Sequence, residues 1–199
     1  MTGSENGRRH TRDDVARTAL RILDDYGLPD LTMRRLASAL DVQPSALYWH
    51  FSNKQSLLAE LADRIVTRAT VPGPAPGGAA RVHAEAAALR DALLAYRDGA
   101  EVVASTLALG LGSTVAHDRL AAAIAADGFD PNTARRAAST LLHFILGHVS
   151  HEQQRMQYDS LGVLADHTGS LRDEDDPAAE YAFGVGLLVS GLELSRSPA

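Results

Sequence analysis

The chain has 199 residues, 45% of them hydrophobic and 22% charged, with a formal net charge of −6 and no cysteine. That length suits one or two domains with a real core, and the missing cysteines exclude a disulfide framework, a thiol nucleophile and a zinc–thiolate site. No apolar run reaches the ~18 residues of a membrane span, and "MTGSENGRRHTRDD" lacks the apolar segment of a secretory signal, so a cytoplasmic protein without membrane contact is expected.

The charge is unevenly spread. Residues 1–70 hold ten Lys and Arg against nine Asp and Glu, a net of +1, whereas residues 71–199 hold nine against sixteen, a net of −7. Such asymmetry hints at two jobs within one chain.

Helical periodicity dominates from the start. "RDDVARTALRILDDYG" places Val15, Ala19, Ile22 and Leu23 on one face and stops at Gly27. Thr32 then caps a helix with Leu36, Ala37 and Leu40 inward, ending near Asp41. Pro44 suits the first turn of a short helix from Pro44 to about Phe51. Ser52 is the expected cap of the next, whose stripe is Leu57, Leu58, Leu61 and Ile65. "VPGPAPGG" at 71–78 breaks the pattern as a connection. Further helices are expected near 80–97, 101–111, 114–126, 132–155 and 177–195, with Asp130 or Pro131 opening the fourth and Asp176 capping the last. The stretch 156–176 is polar and glycine-bearing, and reads as a loop. The fold class is therefore all-α, with about nine or ten helices.

Two short helices joined by a tight turn form a helix-turn-helix, whose second helix fits the DNA major groove. That pattern alone is common in helical cores. Its side chains add weight. "PSALYWHFSNKQSLL" (Pro44 to Leu58) carries the chain's only tryptophan, Trp49, beside Tyr48, His50 and Phe51, and its only lysine, Lys54. With Leu47 turned inward, a helix this short cannot bury the rest. Tyr48, His50 and the turn from Ser52 to Lys54 offer donors to phosphates, and small Ser45 and Ala46 permit close approach to base edges. Trp49 is read either as part of this surface or as core beneath the following helix.

"LTMRRLASALDVQPSALYWHFSNKQSLLAELA" resembles the DNA-binding region of the tetracycline-repressor family of transcriptional regulators. "YRDGAEVVAST" (Tyr96 to Thr106), "HFILGHVSHEQQR" (His143 to Arg155) and "YAFGVGLLVSGLEL" resemble segments of the regulatory domain in its tetracycline-sensing members. The resemblance implies a helix-turn-helix domain at 8–55 and a ligand-binding and dimerisation domain at 56–199. It implies a base contact for Arg34, base-reading positions at Ser45 and Ala46, and backbone contacts for Tyr48, His50 and Lys54. Thr32, Gln43, Pro44 and Trp49 complete the expected DNA-binding set. Where those members read Gln-Pro-Thr before "LYWH", this chain has Pro-Ser-Ala, with Gln43 one place earlier, which implies a different operator.

The resemblance also implies a homodimer through the helices near 132–155 and 177–195. The second of these carries Phe183, Val185, Leu187, Leu188, Val189 and Leu192 nearly all round, so something must bury it. A partner subunit does so in one reading, the monomer's own core in the other. Gly184, Gly186 and Gly191 would fit close approach of another backbone.

By position, Glu85, Leu89, Val103, Thr106, Leu107, Phe144, His148 and His151 are the candidate effector-binding residues. The tetracycline-sensing members bind a magnesium–drug chelate through a histidine and a glutamate that are Val103 and His151 here. A valine cannot ligate a cation, so a different effector is expected, organic and largely apolar, with no cofactor and with 160–176 as a possible gate. His148, His151 and Glu152 share a helix face at i, i+3 and i+4, which leaves a metal site, in a metal-responsive regulator or a metal-dependent enzyme, as the alternative to a polar pocket cluster. "HVSHE" is not the HExxH pattern of metalloproteases, and no nucleophile with an oriented base is evident, so no enzymatic activity is expected. The expected protein is a ligand-responsive homodimeric repressor on a pseudo-palindromic operator, although one that ignores effectors would read the same.

Overall fold

The computed structural model describes residues 10–73, 77–112, 114–160 and 176–196. Among them the chain forms nine α-helices and no strand. Helix α1 (Arg12–Tyr26) opens on a capping box, in which the Thr11 hydroxyl accepts the Asp14 N–H at 3.1 Å and Asp14 accepts the Thr11 N–H at 2.9 Å. It closes at Gly27, whose φ of 85° lets its N–H reach Leu23 O at 2.8 Å.

Helix α2 (Met33–Ala39) starts where Thr32 accepts the Arg35 N–H at 3.1 Å. Helix α3 (Pro44–Leu47) is shorter than the spacing implied. Leu47 O accepts both the His50 and Phe51 N–H groups, at 2.9 and 3.0 Å, and this tightened turn swings Phe51 into the core. Helix α4 (Lys54–Thr67) is capped by Asn53 rather than Ser52. Asn53 Oδ1 accepts the Ser56 N–H at 2.8 Å, and Ser56 Oγ accepts the Asn53 N–H at 3.2 Å. The Ser52 hydroxyl reaches only the Ser56 hydroxyl, at 3.4 Å.

Helices α5 (Gly78–Leu94), α6 (Gly99–Ala108), α7 (Val115–Ala126), α8 (Pro131–Ser160) and α9 (Pro177–Leu194) complete the chain. Asp130 Oδ1 accepts N–H groups of Asn132 and Thr133 at the start of α8, and Asp176 Oδ1 that of Ala178 at the start of α9. Helix α8 runs on to Ser160, so 156–160 is not loop; its polar residues face water along a helix. The remaining part of the expected gate, 161–175, lies outside the described residues.

Helix α4 joins the head to the body, packing on α1 at one end and on α5, α6 and α7 further along. One hydrophobic cluster runs from Val15 through Leu61 and Ile65 to Val189 without a break. The bend between α5 and α6 is filled from α8. Buried Gln153 donates to Leu93 O and Tyr96 O, at 3.1 and 2.7 Å, and accepts the Ala100 N–H at 3.2 Å. One side chain thus satisfies the backbone groups that two helix ends leave over.

Helix α9 turns Tyr181, Val185 and Val189 inward. Phe183, Leu187 and Leu194 stay 69%, 59% and 86% exposed, so the monomer's own core does not bury this helix. Gly184 is explained within the chain, because a Cβ there would stand 2.3 Å from the Phe144 ring. Gly186 and Gly191 face no such neighbour; nothing lies within 4 Å of a Cβ built at Gly191.

Candidate nucleic-acid interface and ligand site

The short helix α3 is anchored from below and presents its other side outward. Leu47 and Phe51 are each 1% exposed, while Trp49 is 90% exposed and Tyr48 is 52% exposed. The alternative that Trp49 packs as core is therefore wrong. The reason is spacing: Leu47 and Phe51, four residues apart, take the inward face of the turn and leave Trp49 opposite. Gln43, Pro44 and Ser45 are exposed at the N-terminal end, and Ala46 and His50 are half-buried.

Two adjacent arginines of α2 have different fates. Arg35 pairs with Asp30 at 2.6 Å and lies over the Tyr26 ring, 3.7 Å from its centroid. Arg34 is exposed. Thr32 spends its oxygen on the cap of α2, and Lys54 begins α4, whose first turn adds backbone N–H donors suited to phosphate.

The candidate ligand residues do not form one group. Val103, Thr106 and Leu107 border a small cavity with Asp63, Leu111, Gly112 and His117, which position matching had not singled out. Its free volume is about 10 Å³, room for roughly one water. Glu85 is buried, bonded to Arg81 at 3.2 Å and to Arg119 at 2.6 and 2.9 Å. Arg119 also donates to Ala69 O, just past α4. Leu89 belongs to the core.

Phe144 and His148 sit elsewhere, in a ring cluster with Tyr181 whose centroids are 5.4 to 6.0 Å apart. Burial pushes the Tyr181 phenol above its ordinary range, and its hydroxyl donates to Ala86 O at 2.7 Å. A cleft of about 210 Å³ also opens among Val82, Ile124, Leu141, Leu188 and Leu192, which no sequence motif marked.

The metal alternative fails on geometry. His148 faces the two rings and approaches Pro177 O at 3.3 Å. Both Glu152 oxygens accept from Arg90, at 2.6 and 3.1 Å, and His151 is exposed. Among the described residues no three His, Asp or Glu side chains gather to hold a metal. The magnesium site that the resemblance implied is likewise not fitted by Val103 and an exposed His151. No helix among the described residues is long and apolar enough to cross a membrane.

The sequence also passed over Arg12 and Glu60, which meet behind α3. Their 48-residue separation leaves no local signal.

Comparison with known proteins agrees with this architecture. Residues 16–61 match the model of bacterial regulatory proteins of the tetR family, and residues 73–181 match the tetracyclin repressor-like C-terminal domain. The class C tetracycline repressor protein of Escherichia coli is 34% identical over 202 residues, covering 93% of this chain and 91% of that one. The crystal structure of BioQ from Mycobacterium smegmatis superposes with a TM-score of 0.83 at 40% identity, covering 93% and 98% of the two chains. BioQ bound to its natural double-stranded DNA operator gives a TM-score of 0.76 at 38% identity, covering 92% and 98%. With a solvent-exposed aromatic turn after α3, an all-helical body and matches along nearly its whole length, the chain belongs to the tetR family of bacterial regulatory proteins.

Proposed function

We propose that the protein is a homodimeric transcriptional repressor of the cytoplasm, not an enzyme, that binds a pseudo-palindromic operator and leaves it when a small organic effector binds. Residues 8–55 form the DNA-binding domain and residues 56–199 the ligand-binding and dimerisation domain. The observation that carries the reading is the division of labour in α3 and the residues that flank it. Leu47 and Phe51 are buried while Tyr48 and Trp49 stand in solvent beside exposed Ser45 and Gln43. An exposed indole and phenol side by side, in the turn just after a four-residue helix, form a patch suited to a partner surface, and a major groove accepts a helix of this kind. Arg34, exposed on α2, supplies a fork suited to guanine. The BioQ–operator structure, 38% identical, supports DNA as the partner. The open apolar face of α9 supports the dimer.

Effector release follows as a population shift, since a ligand favouring one spacing of the two heads depletes the DNA-competent form. The test is selection of binding sites from a random duplex pool at fixed salt. An inverted repeat, bound more weakly by Arg34→Ala and Tyr48→Phe, is expected. Sequence-blind binding by the wild-type protein would sink the reading.

A further inference from the structure

Arg12, the first residue of α1, reaches the far end of the recognition turn. Its Nη1 donates to the backbone carbonyl of His50 at 2.6 Å. Its Nε and Nη2 donate to Glu60 Oε2 at 3.2 and 2.9 Å. The guanidinium carbon lies 4.1 Å from the centroid of the Phe51 ring. Glu60 in turn accepts from Arg64 at 3.0 Å, and Arg64 donates to Asp13 at 2.7 Å. The four side chains link α1 to α4 behind α3.

A helix of four residues has no stability of its own. Something outside must set its angle. Leu47 and Phe51 pin α3 to the core at two points, which fixes a line but leaves rotation about it. The Arg12 bond to His50 O is a third point, at the end of the stretch that carries Tyr48, Trp49 and His50. We propose that Arg12 is a positioning residue for operator binding, holding the His50 carbonyl so that the outward face of α3 meets the groove, with Glu60 orienting its fork. The inference rests on the operator-binding reading above.

A direct phosphate contact is the competing role, because the Arg12 side chain is 55% exposed. The two roles differ in sign at Glu60. A phosphate contact strengthens, or stays unchanged, when the nearby carboxylate is neutralised. A positioning role weakens, because Arg12 loses its orienter.

The test uses the full chain and the inverted repeat selected by the wild-type protein, with an unrelated duplex as control, over a series of salt concentrations. Glu60→Gln and Arg12→Lys are each expected to weaken operator binding on the order of tenfold, the loss of about one charge-assisted hydrogen bond. Binding to the unrelated duplex stays the same. Arg12→Gln is expected to leave the slope of log K against log salt unchanged. A slope reduced by about 0.9 marks a phosphate contact and overturns the proposal, as does unchanged or tighter operator binding by Glu60→Gln. Thermal melting accompanies each variant. If Glu60→Gln melts below the assay temperature, Arg12→Lys, which keeps a cation over Phe51, carries the same two outcomes. A wild-type protein that selects no inverted repeat sinks the functional reading itself, whereas selection with unaffected variants sinks only this inference.

Discussion

The Asp98 carboxylate accepts the backbone N–H of Leu28 at 2.7 Å, tying the turn after α1 to the turn before α6. Gln157 of α8 donates to the other Asp98 oxygen, and the Arg97 N–H donates to Asp24 at 3.3 Å. Asp98 holds a left-handed φ of 56°, which Asp and Asn tolerate better than alanine. A Cβ at Gly27 would stand 2.8 Å from the same carboxylate, so glycine there serves both its φ and this approach. Asp98 thus ties head to body beside the packing of α4. Asp98→Ala loses both bonds and strains the turn, and is expected to cost about 2–3 kcal/mol. Asp98→Asn keeps an acceptor and the backbone form, at about 1 kcal/mol. Thermal melting decides; equal losses would show that the carboxylate does not hold the joint.

The glycines of α9 separate two kinds of close contact. Gly184 meets the Phe144 ring of its own chain, so Gly184→Ala should cost about 1–3 kcal/mol by overpacking, with Phe144→Leu relieving it. Gly191 meets nothing within 4 Å, so in an isolated subunit Gly191→Ala should stabilise by about 1 kcal/mol. If a second copy packs its backbone there, the same change instead promotes dissociation. Analytical ultracentrifugation of Gly191→Ala beside Leu187→Asp reads this directly. Leu187 is 59% exposed in the single chain, and a buried aspartate at the interface should leave monomers. A variant that stays dimeric with Leu187→Asp would place the interface elsewhere.

Periodicity and capping residues made the helices legible, because each of those signals is local. Thr32, Asp130 and Asp176 cap as their position before an apolar run implies. Ser52 lost to Asn53 because only the latter pairs reciprocally with Ser56, a choice between neighbours that composition does not make. The end of α3 was missed because Phe51 turns inward through a tightened last turn. Long-range pairs left no trace in the sequence. Glu85 looked like a pocket residue by position, yet Arg119, 34 residues away, occupies its carboxylate. Glu152 looked like a ligand beside His148, yet Arg90, 62 residues away, takes both its oxygens.

Asp14 gives a pH prediction with a definite sign. Bonds from the Thr11 backbone N–H and hydroxyl, with Arg17 close by, hold its carboxyl down at about 2 against an ordinary 3.8. A carboxyl depressed in the folded state stabilises it above the unfolded value and loses that contribution as pH falls through the folded one. The capping of α1 should therefore weaken between about pH 4 and pH 2. Carboxyl NMR of Asp14 should titrate near 2, and Thr11→Val should move the midpoint toward 3.8. A wild-type midpoint already near 3.8 would mean the capping box is not formed in solution.

Val103 argues against magnesium–tetracycline as the effector. It is buried and aliphatic, so it offers a cation no ligand where the resemblance implied an imidazole. His151, which stands where the resemblance implied a carboxylate, is exposed, and the Glu85 carboxylate is taken by Arg81 and Arg119. His117, the imidazole on the cavity wall, is already bonded to Arg135 O and Ser139 Oγ, both at 3.1 Å, so the oxygen-rich set that magnesium demands is not assembled here. Magnesium with tetracycline should leave the operator complex intact. Val103→His alone should not confer release, because an imidazole is a poor ligand for magnesium, which favours oxygen donors. Release of operator by the drug, reversed by a chelator, would overturn this. The cavity beside Val103, about 10 Å³, must also open before an organic effector enters it. Apolar effectors should therefore bind more slowly than diffusion allows, with Leu107→Ala, which enlarges the cavity, speeding their association.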